Sequence, residues 1–400
     1  MGENAKPVSP ATDAPEVHYP NMATAQLCHI SRLSAASLTC NPLTTVQAVQ
    51  AALIKDGMVS TYQSLSTLLN WDPSSTSSAI SLMTKSNELA LESLTSKQAA
   101  ASSSQGEMEI IDSAFAFAAY YAKIGDKEQA LTAYDKILKI PKLSTGKKID
   151  ALMGKSRVAN FHNEDSVNYD IVDEACKKTE DGGDWDKRNR LKIYSALVMI
   201  VKRDLKSAAS LLIDCTQTFA CSELCSYKEF VVYASICNIL HLARPELKSQ
   251  IIDCPEILAT FSEIGEVSDL VVSFYDCDYR GYMEAIANVE QTLLCDRYLS
   301  RHTNYIIREL IVLGYRQFLD SYKSVTLESM ASTFGVGAEF LDLQLSRFIA
   351  AGRLTAKIDK VSGTVMTNRP DTKNAQYKEM IQKGDLLLNQ IQKLARIADV

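Results

Sequence analysis

The side chains best spaced for chemistry are Cys221, Cys225, Cys237 and His241, two pairs each separated by four residues. Three thiolates and an imidazole would give zinc a complete tetrahedral shell. On a helix, the i, i+4 spacing turns both members of a pair to one side. Structural zinc sites, however, favour Cys-x2–4-Cys on turns, and both segments read as helix. Thiols buried as small apolar groups are the simpler reading. Cys237 and His241 also lack a flanking acid or oxyanion hole that would make them nucleophile and base. No catalytic residue, metal or cofactor is therefore expected. Other reaction signatures are missing: there is no G-x4-G-K-[ST] loop, no G-x-S-x-G and no H-E-x-x-H. Gly335-Val336-Gly337 lacks a third glycine and joins two helices, so it reads as a turn.

Helices must carry these residues, and the clearest ones lie between residues 302 and 368. Ile307, Leu310, Ile311, Gly314, Tyr315, Phe318, Leu319 and Tyr322 have the spacing of one buried helical face. Thr326 is a helix N-cap candidate with Glu328 in the first turn. Leu327, Met330, Ala331 and Phe334 form a second stripe, ended by Gly335. The third helix buries Leu341, Leu345, Phe348 and Ile349 and stops at Gly352. Leu354, Ala356 and Ile358 alternate as a strand, Ser362-Gly363 turns, and Thr364, Val365, Met366 and Thr367 return. This is a winged helix-turn-helix. The short β-prone return strand is expected to be an open edge for a neighbour. A last helix covers 371–400. Its Tyr377, Ile381, Leu387, Leu388, Ile391, Leu394 and Ile397 fall largely at three- and four-residue steps, a seam for packing on other helices.

Upstream, residues 1–22 are polar and hold four prolines (7, 10, 15 and 20), which predicts a flexible tail. Residues 23–105 read as helices with small-residue surfaces, ending in a linker or frayed end at 99–106. Residues 106–202 read as tetratricopeptide-like helix pairs. Asp126, Asp165 and Asp204 recur at equal intervals, followed eleven residues later by Ile137, Cys176 and Cys215. Small Ala130 and large Tyr134 give the interlock of such pairs. The middle copy has Tyr169 and Asp173 instead, so the repeat is loose. The charged stretch 181–190 reads as a solvated loop with Trp185 packed beneath it. Helices continue through 203–370 into the winged helix. The fold class is all-α with a small β wing: an α-solenoid, a winged helix and a long final helix.

The 400 residues are too many for one simple core. A net charge of −6 lowers the prospect of nucleic-acid binding. So do Glu339 and Asp342 at the start of the would-be recognition helix, where phosphates would be repelled. The 10 cysteines lack the regular framework of a secreted scaffold. No apolar run reaches ~18 residues, so no membrane contact is expected. The first residues lack both a signal peptide and the myristoylation pattern, because position 6 is Lys6. Cytoplasm and nucleus are the expected locations.

Several strings carry a family resemblance: 334–337 (FGVG), 345–354 (LSRFIAAGRL), 357–361 (KIDKV), 367–371 (TNRPD), 124–132 (IGDKEQALT), 182–194 (GGDWDKRNRLKIY) and 383–388 (KGDLLL). Over roughly residues 50 to 400 the chain resembles the PCI-domain subunits of the 26S proteasome lid. The resemblance implies a non-catalytic scaffold in a hetero-oligomer, supporting ATP- and ubiquitin-dependent protein degradation. It makes 203–370 the PCI domain and 371–400 a bundle helix. It implies other PCI lid subunits, the lid deubiquitinase module and the proteasomal ATPase ring as partners. The H-x-H pattern with a distant Asp of that deubiquitinase is absent here. Two alternatives remain: subunit 1 of the COP9 signalosome, whose family fits the strings IAAGRL, KIDKV and TNRPD less well, and a winged-helix nucleic-acid binder. Elemental analysis of the purified chain is expected to find no stoichiometric zinc; one equivalent per chain would overturn the reading of the cysteines.

Overall fold

The structure, a computed structural model, describes residues 18–35, 42–104, 106–141, 143–180, 182, 184–367 and 372–398. The chain forms two compact units, residues 1–271 with 288–304 and residues 272–287 with 305–400. It opens with α1 (Met22–Ala35), α2 (Pro42–Asp56), α3 (Val59–Leu68) and α4 (Pro73–Ser104). Three helix pairs follow: α5 (Glu107–Ile124) with α6 (Lys127–Leu138), α7 (Thr145–Phe161) with α8 (Asp165–Glu180), and α9 (Trp185–Val201) with α10 (Leu205–Cys215). Then come α11 (Tyr227–His241), the short α12 (Arg244–Leu247) with a π turn after it, α13 (Pro255–Phe261), α14 (Gly265–Asp276) and α15 (Tyr279–Cys295). The chain closes with α16 (Thr303–Ser321), β1 (Ser324–Thr326), α17 (Leu327–Phe334), α18 (Ala338–Ala350), β2 (Ala356–Asp359), β3 (Thr364–Thr367) and α19 (Thr372–Ala398). The fold is the expected helical solenoid with a small winged-helix sheet.

In the first unit, the repeat works through its caps. Asp126 and Asp204 accept hydrogen bonds from the backbone N–H of Gln129 and Ser207, starting α6 and α10. Ala130, Tyr134 and Ile137 are buried along α6, as are Ala208, Leu212 and Cys215 along α10. Tyr134 fills the space over Gly154 of α7, where a Cβ would lie 2.7 Å from the ring. The middle copy is not loose but shifted by one residue. The Glu164 carbonyl accepts from Asn168 N at the start of α8, so Asp165 is already inside the helix. Its buried positions are accordingly Asn168, Val172 and Ala175. Asn168 is held there by Ser156, whose hydroxyl lies 2.5 Å from Asn168 Oδ1.

Several expectations change. Of the two readings of 99–106, linker or frayed helix end, the structure has the helix end: α4 runs 32 residues, to Ser104, with Gln105 outside the described residues. The stretch 181–190 is mainly the first turns of α9, and Trp185 is 68% exposed rather than packed. Residues 1–17 of the expected tail lie outside the described residues; of the remainder, Pro20 and Met22 are buried and α1 starts at Met22. Cys221 and Cys225 sit in the turn between α10 and α11, not on a helix. Burial pushes the Cys221, Cys225 and Cys237 thiols up, while His241 is exposed. Among the described residues no group of three or more His, Cys, Asp or Glu is arranged to hold a metal.

Glu223, with no side-chain exposure, lies in that same turn and is the electrostatic centre of the unit. It pairs with Arg157 of α7 at 2.8 Å, with Arg190 of α9 at 2.5 Å and with His18 at 3.4 Å. The Tyr194 hydroxyl donates to it at 2.6 Å. Burial alone would raise its pKa; Arg157, Tyr194, Arg190 and His18 together outweigh burial and hold it below the usual glutamate value. A depressed folded pKa means that this stabilisation is complete above the unfolded value of ~4.3 and is lost as pH falls through the folded value. Glu223→Gln removes the charge and leaves the buried Arg157 and the partly buried Arg190 uncompensated. Urea unfolding at neutral pH should show a loss of roughly 3–5 kcal/mol, and the difference from the parent should shrink as the pH is lowered below ~4. Equal stability at neutral pH would contradict this.

Candidate docking surfaces

The second unit is built around aromatic packing. Tyr315 and Phe318 of α16 meet Phe334 of α17 edge-on, with ring centroids 4.9 and 5.4 Å apart. Leu341 and Leu345 of α18 and Val365 of β3 complete the buried core. Gly314, read from the sequence as part of the buried face, is glycine for a steric reason. A Cβ there would lie 2.8 Å from the Tyr282 ring, whose hydroxyl donates to the Leu310 carbonyl. The turn signals act as read. The Thr326 side chain accepts from Ser329 N at the start of α17, and Gly335 ends it with φ +68°.

The sheet overturns one expectation. Its order is β1-β3-β2, so the return strand Thr364–Thr367 is the middle strand and not an edge. β1, which precedes α17, pairs antiparallel with it on one side, with Val325 opposite Val365. β2 pairs on the other, with Ile358 opposite the same Val365. Val365 has no exposed surface; Thr364 and Thr367 are half-buried; only Met366 is largely exposed. The open edges belong to β1 and β2. The three residues of β1 are too few to show alternation, which is why sequence reasoning missed the strand. Lys323 O and Leu327 N bond toward β3, through Thr367 N and Gly363 O, so the backbone groups of Ser324 point the other way.

The α18 surface is mixed. Phe340 and Leu343 are about half exposed, beside Asp342, which pairs with Lys360 of the wing at 3.2 Å. The spacing of the seam did not single out these two apolar positions, because the buried stripe of the same helix, Leu341 and Leu345, dominates its pattern.

The 27-residue α19 presents the seam itself. Tyr377, Ile381, Leu387, Leu388, Ile391 and Leu394 are all more than half exposed, as are Met380 and Leu386. The Ile397 side chain lies outside the described residues. At 1.5 Å per residue the helix spans roughly 40 Å. Burying one such apolar side chain is worth roughly 1.5–3 kcal/mol, so the seam stores a large unrealised driving force. What this surface can do is associate; it has no polar cluster for chemistry.

Comparison with known proteins gives these surfaces a context. The family described as 26S proteasome subunit RPN7 matches residues 76–250, the PCI domain matches 279–369, and the family described as 26S proteasome regulatory subunit RPN7/PSMD6 C-terminal helix matches 376–397. The chain is 41% identical to the 26S proteasome non-ATPase regulatory subunit 6 homolog of Arabidopsis thaliana, over 86% of this chain and 88% of that one. It is 39% identical to the 26S proteasome regulatory subunit RPN7 of Saccharomyces cerevisiae, over 77% and 73%. COP9 signalosome complex subunit 1 of Arabidopsis thaliana is 24% identical over 49% of this chain and 45% of its own length.

The sheet order makes a direct test. Val365→Asp places a charge in the core of the middle strand and should destabilise the chain by roughly 3–5 kcal/mol. Ser324→Pro removes an outward N–H at the first residue of an edge strand, where proline is tolerated, and should change stability by less than about 1 kcal/mol. Denaturant unfolding of both variants checks this; the reverse ranking would show that β3 is not the central strand in solution.

Proposed function

We propose, for a chain that belongs to the family of 26S proteasome non-ATPase regulatory subunit 6 (RPN7), that it acts as a non-catalytic scaffold of the regulatory particle lid. In this reading the chain supports ATP- and ubiquitin-dependent degradation by holding other subunits in place. The observation that carries it is α19, whose apolar seam is exposed along its described length. A helix of this kind gains most when it enters a bundle with the helices of other chains. The open edges of β1 and β2 offer backbone donors and acceptors to neighbouring winged helices. The remaining contacts, to other PCI subunits, the deubiquitinase module and the ATPase ring, follow from membership of such a complex, as does a location in cytoplasm and nucleus. Nucleic-acid binding is the weaker reading. Glu339 and Asp342 stand in the first turns of α18, where a recognition helix would meet phosphates.

The test uses the seam. The double variant Leu387→Asp, Ile391→Asp replaces two exposed side chains, so the isolated chain should keep its melting temperature. Affinity purification with mass spectrometry should recover proteasomal subunits with the parent chain and lose them with the variant. Recovery of cullins and signalosome subunits instead would favour the paralogous complex. A large fall in the melting temperature of the isolated chain, or unimpaired recovery, would show that α19 has another role.

A further inference from the structure

A small polar cavity of about 100 Å³ in the first unit has a charge pattern that the scaffold role leaves unused. Its lining includes His29 and Arg32 of α1, Thr61 of α3, His162 and Asn163 after α7, and Arg297 after α15. Arg297 is only 8% exposed. Its Nε and Nη2 donate to Asn163 Oδ1 at 3.2 and 2.8 Å, and Nη2 also donates to the Asn160 carbonyl. Its Nη1 faces the Met22 sulfur at 3.7 Å. Each of these acceptors is neutral. The nearby carboxylate of Asp165 is itself paired with Arg301. Among the described residues Arg297 has no ion pair; a guanidinium buried without a counter-ion is costly, and natural structures pair such charges or give them an anion.

The other side chains point to the same chemistry. The His29 ring bonds the Leu294 backbone, and among the described residues its buried Nε2 has no hydrogen-bond partner. Burial first disfavours the charged form of both this ring and that of His162; at His29 the hydrogen bond to the Leu294 backbone opposes it while Arg297, Arg32 and Arg301 add to it, and at His162 Lys127 and then Arg297 add to it. The lining therefore concentrates positive charge and unused hydrogen-bonding capacity in one enclosed place. An anion entering it would reverse this: it would neutralise Arg297, favour the protonated rings and accept the His29 Nε2–H. The volume exceeds the roughly 10–15 Å³ that one water needs on this measure and has room for a small ion such as a tetrahedral oxyanion.

We propose that this cavity is a binding site for one phosphate-sized oxyanion, either inorganic phosphate or the phosphate of a monoester. Because α1, the segment after α7 and Arg297 all line it, an occupant would clasp α1 to the helix pairs by charge-assisted hydrogen bonds.

The test uses the full chain and calorimetric titration with sodium phosphate, against sodium chloride at matched ionic strength. A parallel arm uses N-acetyl-O-phosphoserine amide. Saturable one-to-one binding of phosphate is expected, with a rise in melting temperature that chloride does not give. His29→Gln and Arg32→Gln should each weaken binding about tenfold, the loss of one charge-assisted hydrogen bond, while the anion-free melting temperature stays the same. Binding of both ligands would place a monoester among the natural occupants; binding of phosphate alone would identify the free anion; either supports the site. No saturable binding in either arm, or binding that both variants leave unchanged, would overturn it.

Discussion

A carboxylate without exposed surface, Glu223, ties the helical unit together. Arg157 comes from α7, Arg190 and Tyr194 from α9, and His18 from the segment before α1, yet all converge on this one side chain from the turn before α11. Helix pairs in a solenoid are joined mainly through the faces of neighbouring repeats, so most contacts are local. A buried charge cluster adds a constraint that apolar packing cannot, because its directions and distances are fixed by hydrogen bonds. It sets α7 and α9 against the following turn and holds His18, just before α1, on them. The stacking of the helices that follow depends on that turn being in place.

Most of the architecture was legible in the sequence because it is written in local rules. Asp126, Asp204 and Thr326 cap helices as their types require, and Gly335 takes the positive φ that a tight helix-to-helix turn needs. What was not legible depends on contacts between distant residues. β1 is only three residues long and becomes a strand because β3 lies beside it. That placement moves the open edge away from Thr364–Thr367, a change no pattern within the return strand announces. The middle repeat looked degenerate because its cap shifted by one residue, and a fixed interval then compares solvent positions with core positions. The cavity around Arg297 joins residues more than 130 positions apart and left no mark in any local stretch.

The two units solve different physical problems. In the first, polar side chains at depth are largely satisfied from within: Glu223 by its cations, and Asp296 by the Tyr233 hydroxyl and the backbone N–H groups of Tyr298 and Leu299. In the second, a small aromatic core holds a three-stranded sheet, while the longest apolar stripe of the unit stays outside it. That division leaves the seam of α19, marked out in the sequence by its spacing, exposed in the structure. A helix used for internal packing carries its apolar residues toward a core nearby in sequence or in space. This one follows the wing, keeps its own i, i+4 ion pair of Lys383 with Glu379 on its surface, and leaves its apolar side chains exposed.

The same comparison bears on the winged helix as a recognition device. A helix that reads a nucleic acid needs its first turns free of negative charge and its outer face rich in donors. α18 instead begins with Glu339, commits Asp342 to Lys360, and exposes Phe340 and Leu343 beside them. Half-exposed apolar side chains next to an internally neutralised acid lower the desolvation cost of meeting another protein surface, and they offer nothing to a phosphate backbone. The module keeps the winged-helix geometry and presents two short strand edges and one mixed helix face.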